Sequence, residues 1–384
     1  MDPLKPERLR PPPEAEVTAW VGLSLLPGVG ARTIRRWFER AGSAVAVWGQ
    51  LPVFLQSGKN HAEVLTAWRA LDPARVASEA RERGMTVLAQ SDPVYPALLL
   101  AIADPPPVLF VRGTLPDPQS GTGPAVAIVG SRRATPYGLA AAARLAYDLA
   151  LAGVTVTSGL ARGIDGAAHQ GALDGGGPTI AVLGSGGDCI YPPEHRHLAE
   201  AIAAQGAVVT ELPPGTPPLP AHFPRRNRII SGMSVGVVVV EGASDSGALV
   251  TVDCALDQGR EVFAVPGSVF SEHSRAPHHL LRQGARIAEG AADVLHELGL
   301  CPHRDPAADV AALPSGGVAA GGDEGCLLKA LDGGPRSLDD LAEATGLSAG
   351  TVAALATLLE LRGLIHMLPG QMVMRTPGGR HGGT

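Results

Sequence analysis

The chain has 384 residues, 45% of them apolar and 18% charged, with a net charge of −6. That is material for more than one buried core, so disorder throughout is excluded, and an acidic balance excludes a protein whose whole surface is a basic nucleic-acid face. The four cysteines, Cys189, Cys254, Cys301 and Cys326, lie far apart with no Cys-x-x-Cys pair, which argues against a structural zinc site and a secreted disulfide framework and favours a reducing cytoplasm.

In chain order, residues 1–17 form a Pro-rich leader, expected to be disordered, that lacks the apolar stretch of an export signal; no run in the chain approaches the ~18 apolar residues of a membrane span. Residues 18–84 read as short helices, with apolar positions three or four apart. Within them, Leu25-Leu26-Pro27-Gly28-Val29-Gly30 leads into a helix carrying Arg32, Arg35, Arg36 and Arg40. This resembles the hairpin of helix-hairpin-helix proteins, whose glycine turn presents N–H groups to a DNA phosphate. Gly28, Gly30, Arg32 and Arg35 are therefore candidates for an auxiliary contact, including weak double-strand binding; the alternative is a plain helical packing unit.

From residue 85 to 300 the pattern changes. Val/Ile-rich runs at 108–111, 125–129, 154–157, 179–183, 208–211, 235–240 and 261–265 alternate with Ala/Leu-rich helical stretches such as Tyr137 to Leu151. Continuous apolar strands alternating with helices predict an α/β fold, a Rossmann-like doubly wound parallel sheet covered on both faces. A Pro/Ala/Gly/Ser-rich linker follows over 301–323, then a small module over 324–376 that reads as helix, helix, tight turn, helix and β-wing, a winged helix; the tail 377–384 is expected to be disordered.

In a doubly wound sheet, ligands sit outside the carboxyl ends of the strands. The loops predicted there are Gly130-Ser131-Arg132-Arg133 after the Ala125 strand, then Ser158-Gly159-Leu160-Ala161-Arg162-Gly163-Ile164-Asp165 after the Val154 strand, then Gly184 to Asp188 with Tyr191 beyond, and finally Phe223-Pro224-Arg225-Arg226-Asn227-Arg228 running on to Ser231. Glycine permits close backbone approach to a phosphate, helix N-termini supply free N–H groups, and arginine adds fixed charge. A ring beside clustered arginines suits stacking of an unpaired base, although Tyr191 and Phe223 would equally serve as loop anchors packed on the core. Arg225, Arg226 and Arg228 have an internal ion-pair network as their alternative. Asp165 and Asp188 read as caps. The Gly-x-Gly-x-x-Gly dinucleotide fingerprint and the Walker A loop are absent, and no catalytic residue, metal site or cofactor is assigned.

These loops resemble those of the DNA-processing protein A family (DprA/Smf). The matching residues are Gly130 to Arg132, Ser158 to Asp165, Gly186 to Pro192, Phe223 to Ser234, Ser246 to Thr251 and Gly259 to Gly267. The resemblance implies a non-enzymatic recombination mediator that binds single-stranded DNA during natural transformation, protects it, loads the RecA recombinase onto it, and forms a homodimer through the Rossmann-like domain. It also implies that Arg132 is the main phosphate contact and that the loops carrying Arg162, Tyr191 and Arg225 to Ser231 line the same pocket. Where many family members have an Asn, this chain has His278 or His279, and no contact is carried onto either. The wider superfamily includes nucleotide phosphoribohydrolases with a catalytic glutamate after a comparable strand; here that stretch is Glu241 to Thr251, and only Asp253 stands as a conceivable substitute. In the winged helix, the presumptive recognition helix Ser348 to Arg362 presents Ser348, Thr351 and alanines at its N-terminal end, which favours a protein-contacting or weakly binding module over a sequence-specific transcription factor.

Overall fold

A computed structural model describes residues 11–55, 61–116, 123–300, 323–331, 334–361, 365–368 and 372–375. The first ten leader residues, the expected linker up to 322, Cys301, Arg362 and the tail lie outside them. The chain divides into two units, Met1–His303 and Arg304–Thr384.

The first unit is built on a nine-stranded sheet. Its strands are β1 (Thr86–Ala89), β2 (Val108–Gly113), β3 (Ala125–Val129), β4 (Thr155–Ser158), β5 (Thr179–Val182), β6 (Ala207–Thr210), β7 (Gly236–Val239), β8 (Glu261–Ala264) and β9 (Arg286–Ile287), in the order β1-β2-β6-β5-β4-β3-β7-β8-β9. From β6 to β9 every pair is parallel. The first two strands depart from the all-parallel expectation, since β1–β2 and β2–β6 are antiparallel. An apolar run reports burial on both faces and carries no sign of direction, so the reversal is invisible in the Val108 stretch.

Alternate residues of the strands feed opposite layers. Val126 and Ile128 pack with Ala142, Ala146 and Leu149 of the helix Pro136–Leu151, whereas Ala127 and Val129 pack with Ile229 and Ile230 of the helix His222–Gly232. The N-terminal helices expected as a separate domain over 18–84 share a core with the sheet edge: Trp20, Leu23 and Ile34 lie in one cluster with Val87, Ala89, Val108 and Phe110. Beginning at β3, the chain winds outward through β4, β5 and β6, then returns to β7 on the other side. The crevice at that reversal, at the carboxyl ends of β3 and its neighbours, is where such sheets bind ligands.

The second unit has helices Asp323–Ala330, Leu338–Thr345 and Ala349–Leu361 and a three-stranded sheet of β10 (Arg336–Ser337), β11 (Ile365–Leu368) and β12 (Met372–Arg375), in the order β10-β12-β11. Ser337 and Asp340 form a reciprocal capping box, and Gly346, at φ +71°, ends that helix in the left-handed region. Leu327, Leu341, Val352, Leu359, Ile365 and Val373 close its core. At the start of the third helix the Ser348 hydroxyl is bonded to the Thr351 hydroxyl at 2.8 Å and accepts the Thr351 N–H. The polar groups that a groove reader would extend are thus turned on each other. Among the described residues no helix is long and apolar enough to cross a membrane.

Candidate nucleic-acid interface

The loop after β3 is held by its backbone. Ser131 N–H donates to the Glu241 carbonyl at 2.8 Å, and the Ser131 carbonyl accepts from Ile164 N–H at 3.1 Å. Thr135 caps the following helix and gives both its hydroxyl (2.6 Å) and its N–H (2.9 Å) to the buried Glu241 carboxylate. A Cβ at Gly130 would fall 2.7 Å from Ile164 and 2.8 Å from the Glu241 carbonyl, and one at Gly163, at φ +75°, would run into the Ser131 carbonyl. Both glycines are therefore required where loops cross one another, rather than to leave room for a ligand. The fixed loop leaves the Arg132 and Arg133 side chains exposed, and no carboxylate among the described residues pairs with either.

Phe223 is the centre of the site. Its ring rests on Gly184 at the end of β5, and around it stand the Arg132 guanidinium 5.6 Å from the ring centroid, the Arg226 guanidinium at 5.9 Å and the Tyr191 ring at 5.7 Å, tilted by 50°. Tyr191 remains 41% exposed. Side chains from two loops and one helix thus converge on an arginine-and-aromatic rim at the carboxyl ends of β3 and β5, with the aromatic faces attractive to cations and to stacked bases alike.

The stretch expected as an arginine-bearing loop is a helix, His222–Gly232, with Pro224 in its first turn, where a missing N–H costs nothing. The helix sorts the arginines by face. Arg226 points inward with Ile229, Ile230 and Met233 and is buried; its Nη1 donates to the Gly159 carbonyl at 2.6 Å and to the Val182 carbonyl. Burial lowers its pKa to about 10, opposed by the nearby Asp165 and reinforced by Arg132, so it remains charged at neutral pH. Asp165 is itself pushed up by burial and held down by Arg226 and by loop hydrogen bonds; its carboxylate accepts from Ala161 N–H, the capping role expected of it.

Arg228 is bound to Glu211 at 2.7 Å and Asp104 at 3.2 Å with only 12% of its side chain exposed, and Arg225, on the outer face, meets the same Glu211 at 3.2 Å. As candidates for DNA contact, Arg226 and Arg228 are corrected to internal struts, because both are largely buried and bonded within the fold, Arg226 to loop carbonyls and Arg228 to two carboxylates. Ser158 and Ser231 are buried as well, the first donating to the Ile128 carbonyl at 2.6 Å and the second lying under its own helix. Asn227 is half-buried beside Arg226, and Gly159 contributes its carbonyl to Arg226. Arg162 is exposed and forms a short ion pair with exposed Glu194; the pairing raises the arginine and lowers the carboxyl. Asp188 accepts Gly215 N–H and pairs with Arg83 at 2.6 Å. Glu241 and Glu211, which organise the loops, were not singled out as site residues by sequence; each closes a Val-rich strand with a carboxylate, the one signal that pointed to them.

The auxiliary candidates are only partly available. Gly28 turns at φ +68° and Gly30 caps the helix Ala31–Ala41, but Arg32 donates to the Ala103 carbonyl at 3.2 Å and Arg35 pairs with Glu39 at 3.4 Å. Asp253 lies exposed midway along the helix Gly247–Asp257.

Residues 86–299 match the family model described as DNA recombination-mediator protein A, and residues 308–371 match the DprA winged helix domain. The chain belongs to the DNA recombination-mediator protein A family. Protein Smf of Synechocystis is 33% identical over 394 residues, covering 94% of this chain and 99% of that protein. The DNA processing protein DprA of Bacillus subtilis is 43% identical over 224 residues, covering 58% of this chain and 75% of its own length. Among solved structures, DprA of Streptococcus pneumoniae superposes with a TM-score of 0.64 at 34% identity, over 72% of this chain and 95% of that one. A structure of DNA processing protein A from Helicobacter pylori, described for its single-stranded DNA binding mode, superposes with a TM-score of 0.50 at 27% identity, over 56% and 95%. All of the residues converging on Phe223 fall inside the family match.

Proposed function

We propose that this chain binds single-stranded DNA at the Arg132–Phe223–Tyr191 rim and acts as a recombination mediator, without catalysing a reaction. The observation that carries the reading is Arg132: an exposed arginine on a loop fixed from behind, without an acidic partner among the described residues, in contact with a ring at the reversal point of the sheet. A phosphate satisfies the guanidinium, and a base stacks on the aromatic pair. The DNA-binding mode reported for the Helicobacter pylori relative supports the same substrate class. The finer reading follows the family resemblance: the protein protects incoming strands in the cytoplasm, forms a homodimer through the sheet-bearing unit and loads the RecA recombinase during natural transformation.

The test is a titration of labelled single- and double-stranded oligonucleotides across salt concentrations, with folded Arg132→Ala beside the parent. Single-strand preference, with at least a ~tenfold loss in the variant and a log–log salt slope shallower by ~0.7, is the expected result. Equal affinity of the two proteins removes the reading. Addition of RecA to the preformed complex, with filament formation as the readout, tests the loading step.

A further inference from the structure

The loop after β8 carries the most exposed aromatic among the described residues. Phe270 is 95% exposed and its neighbour Val269 79%. The segment beneath them is firmly tied: the Tyr137 hydroxyl donates to the Pro266 carbonyl at 2.7 Å, His278 Nε2 donates to the Gly267 carbonyl at 3.1 Å, and Gly242 N–H donates to the His273 carbonyl at 2.6 Å. Ser268 closes the tip by accepting Phe270 N–H on its hydroxyl and Ser271 N–H on its carbonyl. A phenylalanine held in water on an ordered loop forgoes the stabilisation of burial, which marks a surface awaiting a partner.

Position indicates which partner. Val129, Val239 and Ala264 stand in register across β3, β7 and β8, so the loops leaving β3 and β8 start roughly 10 Å apart, two strand spacings, on the same edge of the sheet. Tyr137 joins them physically, because it opens the helix that follows Arg132 and Arg133 and bonds the Phe270 loop with its hydroxyl. Its ring is 54% exposed. On the β7–β8 side of Arg132, opposite to Phe223, the elements therefore bring exposed Arg133 and the exposed rings of Tyr137 and Phe270: one cation and two π-faces.

We propose that Phe270, with Tyr137, is a second stacking platform that receives bases of the same DNA strand beyond the phosphate on Arg132. The proposal rests on the single-strand reading of the first rim and extends it in one direction across the sheet. Phe270 adds no charge, so its contribution is to affinity for longer strands, without base preference.

The experiment compares oligodeoxythymidines of about four and about ten nucleotides against the full chain and its Phe270→Ala and Arg132→Ala variants. Phe270→Ala is expected to weaken the longer oligonucleotide roughly tenfold, to leave the shorter one unchanged, and to keep the salt slope of the parent. With 2-aminopurine scanned along the longer oligonucleotide at saturating protein, at least one position quenched by the parent should lose its quenching in Phe270→Ala. Unchanged affinity for the longer strand, or an equal loss at both lengths, overturns the proposal. So does a change of sedimentation coefficient in DNA-free Phe270→Ala, which would assign the loop to contact with a second copy. If Arg132→Ala binds as the parent does, the underlying reading fails; if only Phe270→Ala does, the platform alone fails.

Discussion

The Arg132 guanidinium lies 5.6 Å from the centre of the Phe223 ring, so a fixed charge and a π-face, the groups proposed to take a phosphate and a base, are held against each other. Their contributions are separable. Phe223→Leu keeps apolar contact with Gly184 but removes the π-face, and it is expected to lower affinity for single strands by ~1–3 kcal/mol with the salt slope unaltered. A slope that falls with affinity would mean that the ring acts only by placing arginines.

Arg226 supports that ring from inside, and Gly159 is what makes room for it. A Cβ at residue 159 would fall 2.5–2.7 Å from the guanidinium nitrogens and carbon of Arg226, which is buried and bonded to the Gly159 carbonyl. Gly159→Ala is expected to destabilise the fold by about 1–3 kcal/mol through overpacking and to weaken DNA binding along with it. Gly247→Ala, where nothing lies within 4 Å, is the control and should change stability by less than ~0.5 kcal/mol in thermal melts. Equal melting temperatures for the two variants would show that Arg226 moves aside freely.

Much of this geometry is legible in the residues. The strand Ala125–Val129 occupies the apolar run expected of it, and the three glycine-rich turns lie at strand ends because short Val/Ile runs punctuated by glycine admit little else. The arginines of Phe223 to Arg228 were harder to assign. A row of charges reads as surface, yet Arg226, Ile229, Ile230 and Met233 recur at helical spacing and form the inward face. Which arginine points inward depends on that helix, and which is neutralised depends on Glu211 and Asp104, brought from sequence positions 17 and 124 residues away from Arg228. Spacing along the chain contains no trace of such partners.

Glu194 holds Arg162 in an ion pair, so on the proposed single-strand reading it competes with DNA for that guanidinium. The two form an exposed ion pair that shifts the carboxyl below its ordinary range, so the carboxylate remains charged at any pH used for binding. Replacing it as Glu194→Gln releases the guanidinium at the mouth of the loop. Single-strand affinity is expected to rise a few-fold, with the log–log slope steeper by up to ~0.7, one further phosphate. An unchanged slope would place Arg162 outside the DNA path.

His169 sets an acid limit on the fold. Thr179 donates its hydroxyl to the Val156 carbonyl at 2.7 Å and so receives a hydrogen bond from His169 Nδ1, also at 2.7 Å, leaving Nε2 buried without a partner. Burial, together with the positive fields of His195 and Arg226, lowers its pKa from 6.5 to about 3. With the folded pKa below the unfolded one, the unfolded chain takes up the proton first as pH falls. The neutral imidazole's contribution is therefore complete above about pH 6.5 and is lost progressively between there and about pH 3, at up to ~1.4 kcal/mol per pH unit and on the order of 4–5 kcal/mol in all. Urea midpoints measured from pH 7.5 down to pH 5 should fall for the parent chain and fall less for His169→Gln, whose amide can still donate to Thr179. Parallel pH profiles for the two proteins would show that the acid sensitivity arises elsewhere in the fold.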